Sequence, residues 1–388
     1  MIIPLSYNLR NIRARRMTSA LTVLGLALVV FVFVAVLMLA RGLEVALVST
    51  GSDDNVIALR KGSGVEVSSA IDRNTAHVLK VQPEVLTRPD GRPVAATEVV
   101  VLITLPKRSD GLTSNLTVRG VSEESLRMRP QVRIVAGRMW RPGTSEVIAG
   151  GAIQKRFRGC GLGETVRFGM RDWTVVGVFE AGGSGFESEV WGDVDQLMPA
   201  FHRPVFSSLT LKMRDPSSFE AMKARVESDP RTLVNLFREK QYYADQSKYL
   251  ATFIRVMGLA ITGIFSFGAM IGAMITMYAA VSNRTAEIGM LRALGFSRQS
   301  ILICFLIESL VLAAVGGLLG VCAGFFMQYV SISTTNFSTW SEIAFSFALT
   351  PDIAAKGVAF ALAMGLAGGF LPAVRASRLD LLQSLRAA

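Results

Sequence analysis

Residues 284–299 read RTAEIGMLRALGFSRQ. The stretch carries three arginines and one glutamate, and long, largely uncharged hydrophobic segments flank it on both sides. A connection between two such segments needs only to turn the chain around. Charges at helical spacing in this position therefore predict a short helix that has a function beyond connecting the two segments. The flanking segments are long enough to cross a membrane.

The composition indicates a membrane protein. The chain has 388 residues, of which 51% are hydrophobic, and a mean hydropathy of +0.41. A span needs about 20 mostly apolar residues to cross about 30 Å of hydrocarbon. Four segments meet this requirement and are predicted to be transmembrane helices: 17–41, 250–281, 300–330 and 352–374. The first could also be a cleaved signal peptide, but its apolar run is too long and no A-x-A-like site follows it, which favours a retained span.

The arginines predict the orientation in a bacterial inner membrane, because short cytoplasmic segments are rich in Lys and Arg. They cluster in three segments: Arg10, Arg13, Arg15 and Arg16; Arg284, Arg292 and Arg298; Arg375, Arg378 and Arg386. The loop 331–351 has no Lys or Arg. We therefore expect the segment 1–16, the loop 282–299 and the tail 375–388 to be cytoplasmic, and 42–249 and 331–351 to be periplasmic.

The net charge of +11 is also explained by the orientation in the membrane. The basic residues concentrate in the cytoplasmic segments, where they also favour contact with anionic lipid. The segment 42–254 is nearly balanced in charge. No basic patch of the kind that nucleic-acid-binding proteins use is present, so no nucleic-acid partner is expected.

The external segment predicts an α+β domain. Short β-branched or alternating runs bounded by Gly, Pro and Asp indicate strands. They are Asn55–Leu59, Glu98–Leu105, Asn115–Arg119, Thr165–Phe168, Trp173–Phe179, Ser207–Met213 and Leu233–Phe237, with a helix at Ser217–Glu227 completing a βαβ unit. A further helix is expected to begin at Tyr242–Leu250 and to continue into the second span, where it would transmit tilt and rotation that a flexible linker would absorb.

Residues for catalysis are not evident. The sequence has no G-x-x-x-x-G-K-[ST] phosphate-binding motif and no G-x-S-x-G nucleophile motif. His77 and His202 have no Cys or carboxylate at metal-ligand spacing. The sequence therefore predicts a non-catalytic chain that holds no cofactor or metal of its own.

One carboxylate stands out inside the predicted membrane region. Glu308 lies about nine residues into its span, roughly 13 Å deep at 1.5 Å per residue. A charge there is costly and needs a partner, a cavity or a neighbouring helix. It could couple transport to protons, or it could anchor helix packing; the second is favoured, because proton-driven transporters usually carry several such groups.

Glycines in two spans predict close contacts between helices. Three lie on one face of the third span and two on one face of the second, at the spacing that lets helix backbones approach: Gly316, Gly320 and Gly324; Gly268 and Gly272. Such faces indicate helix–helix contact within one subunit or between subunits.

The loop resembles that of a known family. The pattern R-x-x-EIG-x-LRALG-x-SR, followed by a glutamate early in the next span, is similar to FtsX/MacB/LolC-type (type VII) permease subunits of ABC transporters. The tail from Leu371 to Asp380 and Ser384-Leu385-Arg386 resembles the family's closing pattern. The pieces Val118-Arg119-Gly120, Ala136-Gly137-Arg138, Glu146-Val147-Ile148 and Trp173–Val178 resemble its MacB-like periplasmic core domain. The order of one span, a large domain and three spans matches as well.

The resemblance implies a transporter subunit that works by mechanotransmission. ATP and Mg would bind to two copies of a cytoplasmic ABC ATPase subunit, and the permease would pair with a second copy or a homologous permease. The resemblance assigns the ATPase coupling to eight loop residues: Arg284, Glu287, Ile288, Gly289, Leu291, Arg292, Gly295 and Arg298. MacB-type proteins carry a fused ATPase domain before the first span, whereas this sequence begins about 16 residues before it, so a separate ATPase polypeptide is expected, as in the LolC/LolE and FtsX systems.

The residues of the loop predict a docking helix independently. Gly295 is placed to end the helix, and Ser297 to cap the next one. Ile288, Leu291 and Leu294 can form an apolar side, with the charges elsewhere. Such a helix can dock into a groove on a partner; the alternative is a surface helix lying on lipid headgroups.

Three functions are consistent with the sequence. The first is a permease subunit that exports or extracts a substrate from the periplasm or the outer leaflet, with a periplasmic adaptor, membrane-fusion protein or lipoprotein as a possible partner. The second is an FtsX-like regulator that couples ATP turnover to a periplasmic hydrolase or signalling partner. The third is a membrane-anchored binding or scaffold protein without an ATPase. No residue pattern identifies the substrate.

Overall fold

The computed structural model describes residues 5–379. The last residues of the predicted tail, including Arg386, and the first four residues of the N-terminal segment lie outside this range. Among the described residues the helices are α1 (Leu5–Ala14), α2 (Arg16–Val48), α3 (Arg73–Lys80), α4 (Glu123–Met128), α5 (Gly151–Arg156), α6 (Val194–Ala200), α7 (Phe219–Ser228), α8 (Glu239–Ser282), α9 (Thr285–Ala293), α10 (Arg298–Phe326) and α11 (Pro351–Ser377). The strands are β1 (Asn55–Arg60), β2 (Ala95–Pro106), β3 (Thr113–Val121), β4 (Arg133–Gly137), β5 (Glu146–Gly150), β6 (Thr165–Phe168), β7 (Arg171–Glu180), β8 (Glu189–Asp193), β9 (Ser208–Lys212), β10 (Val234–Arg238), β11 (Ser331–Asn336) and β12 (Ser341–Ser346).

The described chain forms two compact units. The helical unit comprises residues 5–41, 252–330 and 347–379, and the sheet domain comprises Gly42–Ala251 and Ser331–Ser346. The division falls inside α2 and inside α8, and each of these is one uninterrupted helix. The helix expected to begin near Tyr242 and to continue into the second span is thereby confirmed; it begins at Glu239.

Within the described residues, four helices are long and apolar enough to cross a membrane: α2, α8, α10 with the turn that follows it, and α11. Their positions follow from the hydrophobic runs in the sequence. Thr350 caps α11 through a bond from the backbone N–H of Ile353, and a proline occupies the first helical position, where its missing N–H costs nothing.

The sheet domain is a mixed α/β domain built on one ten-stranded sheet among the described residues. The strand order is β10-β1-β9-β2-β3-β8-β5-β7-β4, with β6 paired to β7. The pairs β3–β8 and β5–β7 are parallel and the other pairs are antiparallel. Strands β9 and β10 both pair with β1 in the antiparallel sense, so β9, α7 and β10 form the predicted βαβ unit with β1 inserted between its strands.

The core of the sheet domain lies against both faces of the sheet. On one face the helices α6 and α7 pack over buried aliphatic side chains, with the stacked pair Phe168–Trp173 at one end. On the other face Phe179, Phe186 and Trp191 meet the first turn of α8. The burial of these large aromatic surfaces supplies much of the stabilising free energy of the domain.

The predicted loop 331–351 is more ordered than expected, since it contains the β11–β12 hairpin. The hairpin belongs to the sheet domain and is held there by charges. Glu342 is buried, its Oε2 lies 2.7 Å from Lys107 Nζ, and its Oε1 lies 3.4 Å from Arg156 Nη1. The backbone N–H of Ala344 also donates to Ser188 Oγ at 2.8 Å.

The glycine face of α10 packs on α2 in the helical unit. A Cβ atom added at Gly320 would lie 2.7 Å from the carbonyl oxygen of Ala27 and 2.8 Å from Val30 Cβ, and Gly316 and Gly324 are similarly close to α2. Gly268 and Gly272 on α8 have no atom within 4 Å of such a position. The first set therefore makes contacts within the chain, whereas the second set lines an open groove.

We expect Gly320→Val to destabilise the helical unit by about 1–3 kcal/mol, because the added methyl groups overpack the α2–α10 contact. Gly263→Val is the matched control, since a Cβ at Gly263 meets nothing within 4 Å. The measurement is the thermal unfolding midpoint of the full chain in detergent. Equal midpoints for the two variants would contradict the assignment of a tight contact to Gly320.

Candidate functional site

The loop 282–299 folds as predicted, with α9 as a separate helix. Gly295 has a φ of +94°, in the left-handed region that glycine tolerates best. Its N–H donates to the carbonyl of Arg292 at 3.1 Å, and the N–H of Phe296 donates to that of Leu291 at 3.2 Å. These bonds satisfy the carbonyls at the helix end. Ser297 caps α10 by accepting from the N–H of Ser300, as expected.

Arg284 is the centre of the site. It immediately precedes α9, is 6% exposed, and donates to two carboxylates: Nη1 to Glu308 Oε2 at 2.9 Å and Nε to Glu287 Oε2 at 3.2 Å. Glu308 belongs to α10, ten residues beyond its first residue. The guanidinium therefore joins the beginning of α9 to the interior of α10.

Aromatic rings enclose the same guanidinium. Its central carbon lies 5.3 Å from the ring centre of Tyr7 and 5.0 Å from that of Phe305, distances at which cation–π attraction is effective. The hydroxyl of Tyr7 also donates to Glu287 Oε2 at 3.0 Å. Helix α1 thus takes part in the site, a contribution that the sequence analysis did not predict.

Glu308 is a buried carboxylate paired with Arg284. It is 4% exposed and faces Arg284 across the ion pair. Glu308 also lines a cavity of ≈ 20 Å³, together with Thr18, Thr22 and Thr276 of α2 and α8 and with Arg15. This space is large enough for one water molecule. The side chain is therefore compensated by a charge and lies beside polar groups rather than in hydrocarbon alone.

The inner face of α9 is packed against the helical unit. Ile288 and Gly289 are buried, and Ile288 joins a cluster that includes Met277, Phe305 and Ala373, with Leu291 packed beside it. The apolar side predicted from Ile288, Leu291 and Leu294 is thus divided. Two of its members face inward, and Leu294 is exposed.

The outer face of α9 combines apolar and charged groups. Met290 is 53% exposed and Leu294 is 73% exposed; they are one helical turn apart. Arg292 is half-buried; its Nη1 is shielded from solvent and has no hydrogen-bond partner in the part of the chain that the structure describes. Arg298, predicted as part of the loop, is the exposed first residue of α10. This face has the composition of a surface for a partner of complementary charge.

The described residues contain no group of three or more His, Cys, Asp or Glu that could hold a metal ion.

The remaining predicted residues lie on two other faces. Gly316, Gly320 and Gly324 form the α2–α10 contact described above. Gly268 and Gly272 line a groove between α2 and α8 with Leu21, Gly25 and Phe265, with a volume of ≈ 470 Å³. Sequence inspection missed the glycines of α11 at Gly357, Gly365 and Gly369, which pack closely against α2 and α10; their signal was the regular spacing of small residues along that helix.

Comparisons with known proteins agree with this architecture. The family model of the MacB-like periplasmic core domain matches residues 19–229, and the model of the FtsX-like permease C-terminal region matches residues 259–381. The second match contains α9, Arg284 and Glu308.

Curated relatives are similar over much of the chain. The macrolide export ATP-binding/permease protein MacB of Neisseria gonorrhoeae is 26% identical over 415 aligned residues, which cover 97% of this chain and 60% of that protein. The uncharacterized ABC transporter permease YknZ of Bacillus subtilis is 27% identical over 58% of this chain and 57% of that protein. The chain spans about a third to three fifths of the length of the curated relatives it matches. Among solved structures, the extracellular domain of YknZ from Gram-positive bacteria aligns with a TM-score of 0.35 and 14% identity, over 47% of this chain and 99% of that chain.

The two family models together cover most of the sequence, and one of them alone covers more than half of it. The chain belongs to the family of ABC transporter permeases that carry a MacB-like periplasmic core domain and an FtsX-like permease C-terminal region.

Proposed function

We propose that this chain is the permease subunit of an ABC transporter in the bacterial inner membrane, and that it transmits ATP-driven motion to its periplasmic domain. The observation that carries the proposal is the attachment of α9 to α10 through Arg284. A partner that moved α9 would also move α10, because the two helices share a buried ion pair and a packed apolar cluster.

The partner of α9 is proposed to be a cytoplasmic ABC ATPase subunit, present in two copies, that binds the ATP and Mg. The sequence of this chain contains no P-loop motif. The exposed Met290 and Leu294 can fill an apolar groove on the ATPase. The half-buried Arg292 lies on the same helix and adds positive charge beside them. A helix lying on lipid headgroups would gain less from an arginine held half-buried.

The proposed orientation has both termini and α9 in the cytoplasm and the sheet domain in the periplasm. The arginines support the cytoplasmic side. At the opposite end of α10, Phe325, Phe326 and Tyr329 are exposed and lie ring to ring, with centroids 6.0 and 6.3 Å apart. Exposed aromatic groups at the end of an apolar helix are typical of the membrane–water interface.

The proposed substrate step is export or extraction of a molecule from the periplasm or the outer leaflet, without passage through the four helices. The glycine-lined contacts among α2, α10 and α11 leave these helices closely packed. The open groove on α2 and α8, which contains Gly268 and Gly272, is proposed as the contact for a second permease copy. A periplasmic adaptor or lipoprotein is a further proposed partner, together with membrane lipids.

Glu308 is proposed to be structural. Removal of one partner of a buried ion pair strongly destabilises a protein, because the other charge stays buried without compensation. Replacement of both partners by apolar groups is often tolerated. The ion pair with Arg284 satisfies this condition, and Glu308 needs no exchange of protons to account for its place.

Arg284→Met should destabilise the full chain in detergent by about 3–5 kcal/mol, because it leaves Glu308 buried without its main partner. The double variant Arg284→Met, Glu308→Leu should recover most of this loss. If α9 drives α10 through the pair, the double variant should also show reduced ATPase-coupled activity in the assembled complex. A stable double variant with full coupled activity would remove the pair from the transmission path, and Glu308→Gln that assembles normally but abolishes transport would favour proton coupling instead.

Arg292→Glu and Leu294→Asp should weaken co-purification of the ATPase, by at least about tenfold in affinity for a central contact residue. Leu294 is 73% exposed, so Leu294→Asp should leave membrane insertion and thermal stability unchanged. Glu287→Lys should also weaken association, but it removes the bonds to Tyr7 and Arg284 as well and so tests two effects at once.

The matched control is Arg167→Glu, a charge reversal at a highly exposed arginine of the sheet domain. It should leave co-purification unchanged. Full retention of the ATPase by Arg292→Glu and by Leu294→Asp would contradict the docking proposal.

A further inference from the structure

The sheet domain contains a buried ionic cluster that the proposed function does not use. Its six residues come from six different parts of the domain, and each is at most 8% exposed. They are Glu66, Glu98, Arg119, Arg129, Glu189 and Glu239. We call this set the ionic cluster.

Arg119 on β3 is the best-satisfied member. Its Nε donates to Glu189 at 2.7 Å, its Nη1 donates to Glu66 and to Glu98, both at 2.8 Å, and its Nη2 donates to Glu66 and to Glu189, both at 3.0 Å. These five bonds use every N–H of the guanidinium. Three carboxylates therefore share one positive charge.

Arg129, which follows α4, is less well placed. Its Nη1 and Nη2 both donate to Glu98, and its Nη2 lies 3.8 Å from Glu239 Oε1, beyond hydrogen-bonding distance. Its Nε has no acceptor among the described residues. Most of its charge is therefore directed at Glu98.

Glu239 is the first residue of α8 and lies in the sheet domain, ahead of the 250–281 span. Its Oε2 accepts from Asn55 Nδ2 at 2.8 Å and from the backbone N–H of Ser52 at 3.0 Å. Its Oε1 is buried and has no hydrogen-bond donor in the described chain. Every other carboxylate of the ionic cluster receives bonds at both oxygens, so Glu239 Oε1 is the one oxygen where a proton displaces no donor.

The charges of the ionic cluster do not balance. Four carboxylates face two guanidiniums, and a buried, uncompensated carboxylate costs so much free energy that it normally takes up a proton instead. We propose that the ionic cluster retains a proton at neutral pH, on Oε1 of Glu239, and that release of this proton weakens the attachment of α8 to the sheet domain.

Charged and titratable groups face Glu239 from each element packed against it. Arg129 is the nearest positive charge to Glu239, and Glu98 on β2 is a further negative charge that faces it. Tyr243, one turn along α8, is buried beside it. Lys240 is paired outward, to Asp53 at 2.6 Å. Beyond these lie the other three members of the ionic cluster, which are paired to one another through Arg119.

The direction of the pKa shifts agrees with the charge count. Burial raises the pKa of Glu239, and Arg129 only partly opposes this. Burial also raises the pKa of Glu98, but there Arg129 and Arg119 prevail and hold it at about 2. Folding therefore takes up a proton at Glu239, and this part of the stability is present at acidic pH and is lost as the pH rises through the folded pKa. The contribution of Glu98 behaves oppositely and is lost only as the pH falls from about 4.5 toward 2.

The contacts that would weaken are those of the first turn of α8 with the sheet domain. Next to Glu239 in the first turn of α8, the hydroxyl of Tyr242 accepts from the N–H of Glu66 at 3.1 Å, and the hydroxyl of Tyr243 donates to Glu66 Oε2 at 3.3 Å. Both rings pack in the aromatic core of the domain. An added negative charge at Glu239 repels Glu98 and Glu66, and so acts directly on the turn that holds α8.

The experiment compares the full wild-type chain with Glu239→Gln in lipid nanodiscs from pH 6 to pH 9. Hydrogen–deuterium exchange in peptides covering 239–247, corrected for the intrinsic pH dependence of exchange, should show protection in wild type that falls with pH. The slope should approach tenfold per pH unit below the folded pKa, where closing of the turn takes up one proton, and should level off above it, where the carboxyl is ionised in both the closed and the opened turn. In Glu239→Gln, a permanent mimic of the protonated form, this slope should be absent.

Glu123→Gln is the control, since it neutralises an exposed carboxylate of α4 and should keep the wild-type slope. A Glu239→Gln variant that keeps that slope overturns the proposal. Difference infrared spectra between pH 6 and pH 9 provide a second test, in which the variant identifies the group because burial also raises the pKa of Glu189. A carbonyl band of a buried carboxylic acid that is lost in wild type and not in Glu239→Gln supports the proposal, and a band that is lost equally in both, or in neither, overturns it. Neither measurement depends on an ATPase, so failure here is distinct from failure of the proposed transport function.

Discussion

A buried charge must find a partner, and this constraint organises the chain around two arginines. In the helical unit, Arg284 holds Glu308 and Glu287 at hydrogen-bonding distance between two aromatic rings. In the sheet domain, all five N–H groups of the Arg119 guanidinium donate hydrogen bonds to three carboxylates. Loss of either guanidinium would leave buried carboxylates unpaired, which is among the costliest single changes a fold can suffer.

The same constraint decides which groups remain available to partners. The inner face of α9 is occupied by the Arg284 pair and by Ile288, so only the outer side chains can contact another protein. Met290, Arg292 and Leu294 are therefore the residues proposed for docking. Leu294 is exposed, unlike Ile288 and Leu291, with which the sequence pattern had placed it on one apolar side.

Much of the fold could be predicted from the sequence, because long apolar runs and alternating β-branched runs are local signals. The glycine that ends α9 and the serine that caps α10 were predictable for the same reason. The pairing of Arg284 with Glu308 was not, since the two residues are 24 positions apart and meet only when α9 folds back on α10. The β11–β12 hairpin was missed because its Ser- and Thr-rich strands carry little hydrophobic pattern, and its attachment depends on Lys107 and Arg156, which are distant in sequence.

Helix α8 contributes residues to both units of the chain. It has 44 residues without interruption, and at 1.5 Å per residue that is roughly 66 Å, more than twice the thickness of the hydrocarbon layer. About half of its length therefore has to lie outside the apolar layer, and its first turn carries Glu239, Tyr242 and Tyr243. The first turn of α8 is fixed in the sheet domain by the aromatic core and by the hydrogen bonds of Tyr242 and Tyr243 to Glu66. In the proposed function, a motion of α8 would act on the turn beside the ionic cluster, and the proposed proton on Glu239 would stabilise that turn.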